Sequence, residues 1–337
     1  MAKGLDILNL EPSVISRDLR GKFVCLYSLP KVGKTSLACQ FPKNLLLGFE
    51  HGWNAISGAM AVDIKKWADF KLVLRQLEKP EAQEKYNTIT IDTVGIAWDL
   101  CEQYICAQHA VQSISDIPWG GGYAAAKREF ESCLRKITQL GYGLVIIAHV
   151  EKRIEKRADD SEVEILGPAI PKRAYDIVNQ LVDIIGYIDI TWDEDGNAER
   201  WLYTRKTPTV MAGSRFKYLA PKIKFGYQEL VDAIIKAIEK SEQIDGAVVV
   251  DKEEVKVEEE LNFDLIRDEA SRLWAKLINE DAANAERILK KVEMIFGRKI
   301  KLSEITEDQK DLFNLVLLEM RDMSNDLDLL EMKDISK

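Results

Sequence analysis

Residues 22–41 read KFVCLYSLPKVGKTSLACQF, and this stretch decides the fold. The apolar run at 22–28 is typical of a buried strand, and a helical pattern begins after Thr35. The connecting segment, SLPKVGKT at 28–35, matches the phosphate-binding pattern G-x-x-x-x-G-K-[ST], except that Ser28 replaces the first glycine. The segment thus has the order strand, tight loop, helix. In this order, the backbone N–H groups of the loop and of the helix N-terminus can surround phosphate oxygens.

The residue types in this loop predict how it binds ATP and Mg²⁺. Gly33 permits a backbone conformation that a Cβ would oppose. Lys34 would place its charge on the β- and γ-phosphates, and Thr35 would offer its hydroxyl to Mg²⁺. Ser28 is the smallest substitute for glycine, and Pro30 stiffens the loop. We therefore assign nucleotide binding to Ser28, Pro30, Lys31, Val32, Gly33, Lys34, Thr35 and Ser36.

Outward from the loop, short apolar runs alternate with longer helical patterns. Strands are predicted at 22–28, 44–50, 87–94 and 142–150, and a hairpin at 181–192 and 200–206 around the turn DEDGN. Helices are predicted at 65–78, 95–110, 123–140 and 227–241. This alternation predicts a doubly wound α/β domain with a mostly parallel central sheet.

Composition shifts divide the chain into five parts. Residues 245–260 carry seven acidic and two basic residues, which is typical of a solvated linker. The pattern beyond this stretch is helical throughout. We predict an N-terminal leader at 1–20, an α/β ATPase domain at 21–241, an acidic linker at 242–261, a small all-α domain at 262–322 and a charged tail at 323–337.

The bulk composition excludes several classes of protein. Apolar residues make up 46% of the chain, which excludes wholesale disorder. The formal net charge of −9 excludes a uniformly basic coat, although it hides local basic segments. Five cysteines without C-x-x-C spacing, and no secretory leader, predict a reduced cytoplasmic protein. No apolar run approaches the ~18–20 residues of a membrane span.

Polar residues end three of the predicted strands. Asp92 closes an apolar strand, where a carboxylate can hold Mg²⁺ through water. Glu50 closes another and is either a base that polarises a water for attack or a solvated loop glutamate. His149 ends YGLVIIAHV and is either a sensor of the γ-phosphate or a structural histidine.

Two loop-like segments carry candidate contacts to nucleic acid. A basic segment after His149 would suit phosphate contacts, although nearby acidic residues partly neutralise it. In IPWGGGYAAAKREF (117–130), aromatic side chains flank three glycines and could stack on bases, or could equally belong to a helix cap. The candidate residues are Lys152, Arg153, Lys156, Arg157, Lys172, Arg173, Trp119, Lys127 and Arg128. Farther on, Arg215 and Lys217 could reach a neighbouring subunit's nucleotide in an oligomer.

Taken in order, the segments SLPKVGKTSLA, NLLLGFEHGWNAI, ITIDTVG and LVIIAHV and the Arg/Lys hairpin resemble the RecA-like ATPase core over residues 20–240. They resemble most the phage-encoded RecA-like proteins of recombination and single-strand annealing. The resemblance implies that Glu50 is the general base and that 151–173 and 113–124 are DNA-binding loops. It also implies that Arg215 and Lys217 act across a subunit interface. Ser28 and His149 depart from RecA itself and fit the phage group better.

These observations predict an ATPase that oligomerises on single-stranded DNA, as a ring or filament, and promotes annealing or recombination. Lys34, Thr35 and Asp92 would hold MgATP, Glu50 would activate water, and His149 would couple the γ-phosphate to the basic segment. One alternative is a nucleotide-gated loader or mediator whose C-terminal region binds a single-strand-binding or replication protein. A small-molecule P-loop kinase is a second alternative.

Overall fold

Strand and helix alternate along the first 250 residues, as their hydrophobic patterns predict. The computed structural model describes residues 15–16, 22–156, 160–250 and 262–335. Two compact units divide the chain, one within residues 11–257 and the other containing residues 258–337.

The strands are β1 Ile15–Ser16, β2 Phe23–Ser28, β3 Asn44–Gly48, β4 Ala61–Asp63, β5 Thr88–Asp92, β6 Gly143–Lys156, β7 Glu162–Pro168, β8 Ile184–Trp192, β9 Ala198–Tyr203, β10 Gly213–Ser214, β11 Lys222–Lys224 and β12 Val249–Val250. The helices are α1 Lys34–Ala38, α2 Trp67–Leu77, α3 Pro80–Lys85, α4 Val94–Gln108, α5 Gly121–Gln139, α6 Lys172–Leu181, α7 Tyr227–Asp245, α8 Phe263–Glu280, α9 Asn284–Phe296 and α10 Lys310–Ile335.

The central sheet has the strand order β11-β9-β8-β2-β6-β5-β3-β4. The six strands from β8 to β4 are mutually parallel, whereas β9, β10 and β11 add antiparallel pairs at the β8 edge. The predicted α/β class with a mostly parallel sheet and a helical C-terminal region is confirmed. The hairpin predicted around DEDGN is the antiparallel pair β8–β9.

Alternating side chains of the buried strands supply two cores, because successive residues of a strand point to opposite faces. On β2, Cys25 and Tyr27 join the core beneath α2, α4, α5 and α6, whereas Val24 and Leu26 join the core beneath α1 and α7. Both faces are therefore covered by helices, which explains why β2 and the inner half of β6 are continuously apolar.

The segment predicted as a basic loop at 151–173 has regular structure where it is described. Strand β6 does not end at Val150 but continues to Lys156, and its outer half pairs antiparallel with β7. Helix α6 then begins at Lys172. Ile154 on β6 and Val163 on β7 are each flanked by charged residues, which suits a pair of strands exposed to solvent. The same density of charged residues is also typical of a loop. The prediction of an irregular loop is therefore wrong, and we call residues 150–156 and 162–168 the β6–β7 arm.

The other predicted loop, 113–124, is also largely ordered. Two 3₁₀ turns, Ile114–Asp116 and Pro118–Gly120, lead into α5, which begins at Gly121. Trp119 lies in the second turn with a φ of 60°, in the left-handed region that few non-glycine residues occupy. Its side chain is fully exposed.

Parts of the predicted leader, linker and tail have regular secondary structure where the structure describes them. Helix α7 runs to Asp245, and β12 pairs in parallel with β1, so secondary structure enters both the predicted leader and the predicted linker. Helix α10 continues through most of the predicted tail, to Ile335. Most of the predicted linker, 251–261, lies outside the described residues.

The C-terminal unit has a core of its own, which α8, α9 and α10 enclose. Ile288, Val292, Phe313 and Val316 are among its buried side chains. The side chain of Asn262 caps α8 by accepting a hydrogen bond from the N–H of Leu265, at 3.1 Å. Among the described residues, no helix of either unit has the length and apolar character to cross a membrane.

Candidate nucleotide-binding site

The phosphate-binding loop joins the carboxyl end of β2 to α1. Gly33 has a φ of 107°, which is unfavourable for any residue with a Cβ. Buried Lys34 donates to the carbonyl of Ser28 at 3.2 Å, to its hydroxyl at 3.0 Å and to the carbonyl of Leu29 at 2.9 Å. The serine at the first glycine position therefore supplies a hydroxyl acceptor to Lys34, in addition to being small.

The other predicted loop residues fall into two groups. Val32 is buried against the core beneath α1 and α7 and anchors the loop to the domain. Pro30, Lys31 and Ser36 are exposed on its outer surface, and Lys31 has a φ of 65°. Gly33 and Thr35 are half-buried between the loop and the neighbouring strands.

Thr35 and Asp92, the two predicted magnesium ligands, are in direct contact. The hydroxyl of Thr35 donates to Asp92 Oδ2 at 2.7 Å, and Asp92 is buried at the end of β5. A Cβ built on Gly52 would lie 3.7 Å from Asp92 Oδ2 and 3.9 Å from Thr35 Oγ1, so the glycine leaves space beside both oxygens. A hydroxyl and a carboxylate beside an open space suit Mg²⁺, a cation that prefers oxygen ligands. When bound, Mg²⁺ would neutralise charge on the phosphates.

Burial dominates the electrostatics of this site. It raises the pKa of Asp92 above its usual value, which the hydrogen bond from Thr35 opposes. It also lowers the pKa of Lys34, although the carboxylates of Asp92 and Glu50 oppose that change. The site therefore keeps an ionised Asp92 at a cost in free energy, and a bound cation would offset that cost.

Glu50 and His149, which the sequence suggests separately, are in direct contact. His149 Nε2 lies 3.0 Å from Glu50 Oε2, and the hydroxyl of Thr93 donates to the same oxygen at 3.4 Å. The N–H of Glu50 donates to the carbonyl of Asp92 at 3.1 Å, which holds the end of β3 beside the end of β5. A carboxylate oriented by an imidazole is suited to accept a proton from water.

The second nitrogen of His149 has a different environment. Nδ1 is buried and has no hydrogen-bond partner among the described residues. The imidazole therefore contacts Glu50 with one nitrogen, whereas its other nitrogen is a buried polar atom that the described part of the chain leaves unpaired.

Two of the candidate cations of the β6–β7 arm, Lys152 and Arg153, form ion pairs within the arm. Lys152 forms an ion pair with Glu164 at 2.8 Å. Arg153 pairs with Glu151 at 2.6 Å and donates to the carbonyls of Pro168 and Ile170, so it braces the arm internally. Lys156 is exposed at the end of β6, and Arg157 lies outside the described residues.

The remaining nucleic-acid candidates lie on α5, at the start of α6 and in the 3₁₀ turn that precedes α5. The Arg173 guanidinium lies 4.2 Å from the centre of the Tyr123 ring, which joins the start of α6 to the start of α5. Lys127 and Arg128 are exposed on α5, and Lys127 lies one turn from Tyr123. Lys172 is exposed beside Arg173 but pairs with Asp176 at 2.9 Å. We call Trp119, Tyr123, Lys127 and Arg173 the Trp119 surface.

Arg215 and Lys217 do not join the nucleotide site of their own chain. Arg215 pairs with Asp183 at 3.1 Å, and Asp183 accepts from the N–H of Phe23 at the amino end of β2. Lys217 pairs with Asp245 at 2.9 Å. Arg215 therefore lies at the sheet edge opposite the phosphate-binding loop, which follows the carboxyl end of β2.

Two residues that the sequence analysis did not select lie at the site. Gly52 borders the oxygens of Thr35 and Asp92, and Arg200 of β9 donates to the carbonyl of Val32 at 3.0 Å. Both lie in segments that carry the family resemblance, but no role was assigned to either residue. The context EHGWN offers no reason to select Gly52, and Arg200 lies in a charged hairpin far along the chain.

Comparison with known proteins agrees with this geometry. Residues 20–216 match the family AAA_24, described as an AAA domain. The SPbeta prophage-derived uncharacterized protein YorG of Bacillus subtilis (strain 168) is 32% identical over 331 residues, which cover 95% of this chain and 98% of that protein. These similarities support the P-loop ATPase part of the predicted resemblance, and the RecA-like annealing role remains a proposal.

Replacing Asp92 by Asn should separate stability from ligand binding. Because burial raises its pKa, folded Asp92 binds its proton more tightly than the unfolded chain does, and the stability from this group is lost as pH rises through that interval. At pH 7 without ligand, we expect Asp92→Asn to unfold at the wild-type temperature or above. The thermal stabilisation by Mg²⁺ and ADP should fall sharply.

Asp99→Asn is the matched control, because burial also raises the pKa of this α4 carboxyl. We expect that variant to keep the full stabilisation by Mg²⁺ and ADP. The magnesium assignment is contradicted if Asp92→Asn keeps it as well.

Proposed function

We propose that this chain, which belongs to the AAA domain family, binds and hydrolyses ATP at the sheet edge where β2, β3 and β5 end and where His149 lies within β6. The observation that carries the proposal is the convergence of a phosphate-binding loop, the Thr35–Asp92 pair and the Glu50–His149 pair. Lys34 and the loop N–H groups would hold the phosphates. Glu50 would then take the proton of the attacking water.

His149 orients Glu50 in this proposal and reports on the γ-phosphate. Its Nε2 holds the Glu50 carboxylate, and its buried Nδ1 is free to meet a polar group of the ligand. A change in the contacts of either nitrogen would displace the β6 backbone at this point, because His149 is the last residue of that strand paired with β2.

A substitution pair should separate binding from chemistry. We expect Lys34→Ala to lose ATP hydrolysis together with most of its ATP affinity, because it removes the cation of the loop. Glu50→Gln should bind ATP with near wild-type affinity but hydrolyse it at least about 100-fold more slowly, the usual minimum contribution of a general base. Fluorescent-nucleotide titration and single-turnover phosphate release measure the two properties.

Exposed Glu81 on α3 provides the control, and Glu81→Gln should behave as wild type. Turnover of Glu50→Gln within about threefold of the wild-type rate would exclude Glu50 as the base.

We further propose that single-stranded DNA binds at the Trp119 surface, with the β6–β7 arm secondary. An exposed tryptophan, a tyrosine beneath a guanidinium and a nearby lysine supply base stacking and phosphate contact together. Ion pairing within the arm leaves Lys152 and Arg153 less available for phosphates. The promotion of annealing or recombination in a phage context is the finer part of this proposal, and the similarity to a prophage-derived protein supports only its phage context.

A short hydrogen-bonded path supports coupling between the two sites. The N–H of Ala169 donates to the carbonyl of His149 at 2.8 Å, and α6 begins three residues later with Lys172 and Arg173. A Cβ on Gly95, in the first turn of α4, would lie 3.0 Å from the Ala169 carbonyl, so the backbones pack closely. Movement of His149 with the nucleotide state would therefore shift the start of α6, which carries Arg173 of the Trp119 surface.

Trp119→Ala should weaken binding to an oligothymidylate by roughly 5- to 150-fold, the usual effect of losing one base–aromatic stack. Fluorescence anisotropy of a labelled oligonucleotide, at several salt concentrations, measures it. Trp192→Ala is the matched control, because Trp192 is also largely exposed, at 71%, but lies on β8. If Trp119→Ala bound DNA with wild-type affinity, the proposed surface would be contradicted. The same conclusion would hold if the variant changed its oligomeric state but kept that affinity.

A homo-oligomer, as a ring or filament, is part of the proposal because only a neighbouring chain could bring Arg215 and Lys217 to a nucleotide. Both side chains are more than half exposed, although each has an acidic partner on its own chain.

The alternative function, a nucleotide-gated loader or mediator, has one observation in its favour. Leu289 and Met294 of α9 and Leu315 of α10 are exposed apolar side chains on the C-terminal unit. Such side chains suit contact with a replication or single-strand-binding protein, and DNA binding that does not depend on Trp119 would favour this function.

A further inference from the structure

We propose that Arg200 is a positioning residue of the nucleotide site, holding the Val32–Gly33 peptide so that the Gly33 N–H faces the phosphates. The inference rests on the proposed nucleotide binding and goes beyond it by assigning a residue outside the loop. Arg200 lies on β9, in the antiparallel extension of the sheet, where it pairs with Ile190 of β8.

The direct contact is a hydrogen bond from Arg200 Nη1 to the carbonyl of Val32, at 3.0 Å. Because a trans peptide is planar, the carbonyl oxygen of one residue and the N–H of the next point in opposite directions. A guanidinium that holds the Val32 oxygen outward therefore directs the Gly33 N–H toward the inner side of the loop. Backbone N–H groups on that side are the ones that surround phosphate oxygens.

Arg200 is itself held in place by Phe225. Its guanidinium lies 4.9 Å from the centre of the Phe225 ring, and the Phe225 N–H donates to the Arg200 carbonyl at 3.0 Å. The ring packs against the core beneath α1 and α7. A guanidinium stacked on a fixed aromatic ring loses little conformational entropy when it forms a hydrogen bond.

Gly33 is in contact with both side chains. A Cβ at this position would lie 2.9 Å from Arg200 Nη1 and 3.4 Å from Phe225 Cε1. The φ of 107° favours glycine here, and a side chain at this position would also displace the Arg200 guanidinium. The loop is supported from outside by this contact and from inside by Lys34.

The charge of Arg200 adds to its geometric role. Among the described residues, the guanidinium forms no ion pair with a carboxylate, so its positive charge remains beside a loop that would bind polyphosphate. Arg200→Lys keeps the charge but loses the planar stack on Phe225, whereas Arg200→Met keeps the bulk and loses both charge and hydrogen bond. The two variants separate position from charge.

The test is a direct titration of the full chain with MgADP and with a non-hydrolysable MgATP analogue, combined with steady-state ATP hydrolysis. We expect Arg200→Met to raise both dissociation constants by roughly 10- to 100-fold, the effect of losing one hydrogen bond to a charged group. Arg200→Lys should fall between Arg200→Met and wild type. In Arg200→Met, the KM for ATP should rise because affinity for ATP falls, whereas kcat should change little because Glu50 and Asp92 are unchanged.

Lys222→Met is the matched control. Lys222 of β11 lies over the ring of Trp201 at 4.4 Å, and Trp201 points to the opposite face of β9 from Arg200. This variant removes a cation–aromatic contact of the same hairpin and should keep wild-type affinity. Affinity for MgADP unchanged in Arg200→Met would overturn the role of Arg200 alone, whereas no nucleotide binding by the wild-type chain would overturn the proposed function and this role with it.

Discussion

The parallel register of four strands is the constraint on which the rest of the structure depends. Ser28 of β2 lies opposite His149 of β6, and Asp92 of β5 lies opposite both Ile147 of β6 and Gly48 of β3. Strands β2, β3 and β5 therefore end at one edge of the sheet, beside His149 within β6, and the phosphate-binding loop, the Thr35–Asp92 pair and the Glu50–His149 pair meet there. A shift of one residue in any of these strands would turn its terminal side chain away from the site.

This edge is organised for ligand binding at some cost to the fold. Burial disfavours the charged forms of both Asp92 and Lys34, yet phosphate and Mg²⁺ chemistry needs both charges. The loop is stabilised by hydrogen bonds from the Lys34 ammonium to uncharged oxygens of Ser28 and Leu29 and by Arg200 on its outer side. Ligand-binding sites are commonly less stable than the surrounding core, since their groups are placed for the ligand and not for one another.

Local patterns were enough to predict the loop, the strand-helix alternation and the acids at the strand ends, because each is set by neighbours in sequence. Contacts between distant segments were not predictable in this way. The Glu50–His149 pair depends on the register of β3, β5 and β6, and Arg200 reaches Val32 only because β9 follows β8 in the sheet. The charged residues at 152–157 favour a loop, but pairing with β7 places residues 152–156 in a strand. The sequence also does not show that Arg215 lies at the sheet edge opposite the phosphate-binding loop.

In the proposed function, hydrolysis at this edge is coupled to occupation of the Trp119 surface through His149, Ala169 and α6. The most direct test is the steady-state ATPase rate of the wild-type chain at saturating MgATP, with and without oligothymidylate, while anisotropy reports DNA occupancy in the same sample. We expect a several-fold higher rate of ATP hydrolysis when the oligonucleotide is bound. An unchanged rate with the DNA fully bound would contradict it.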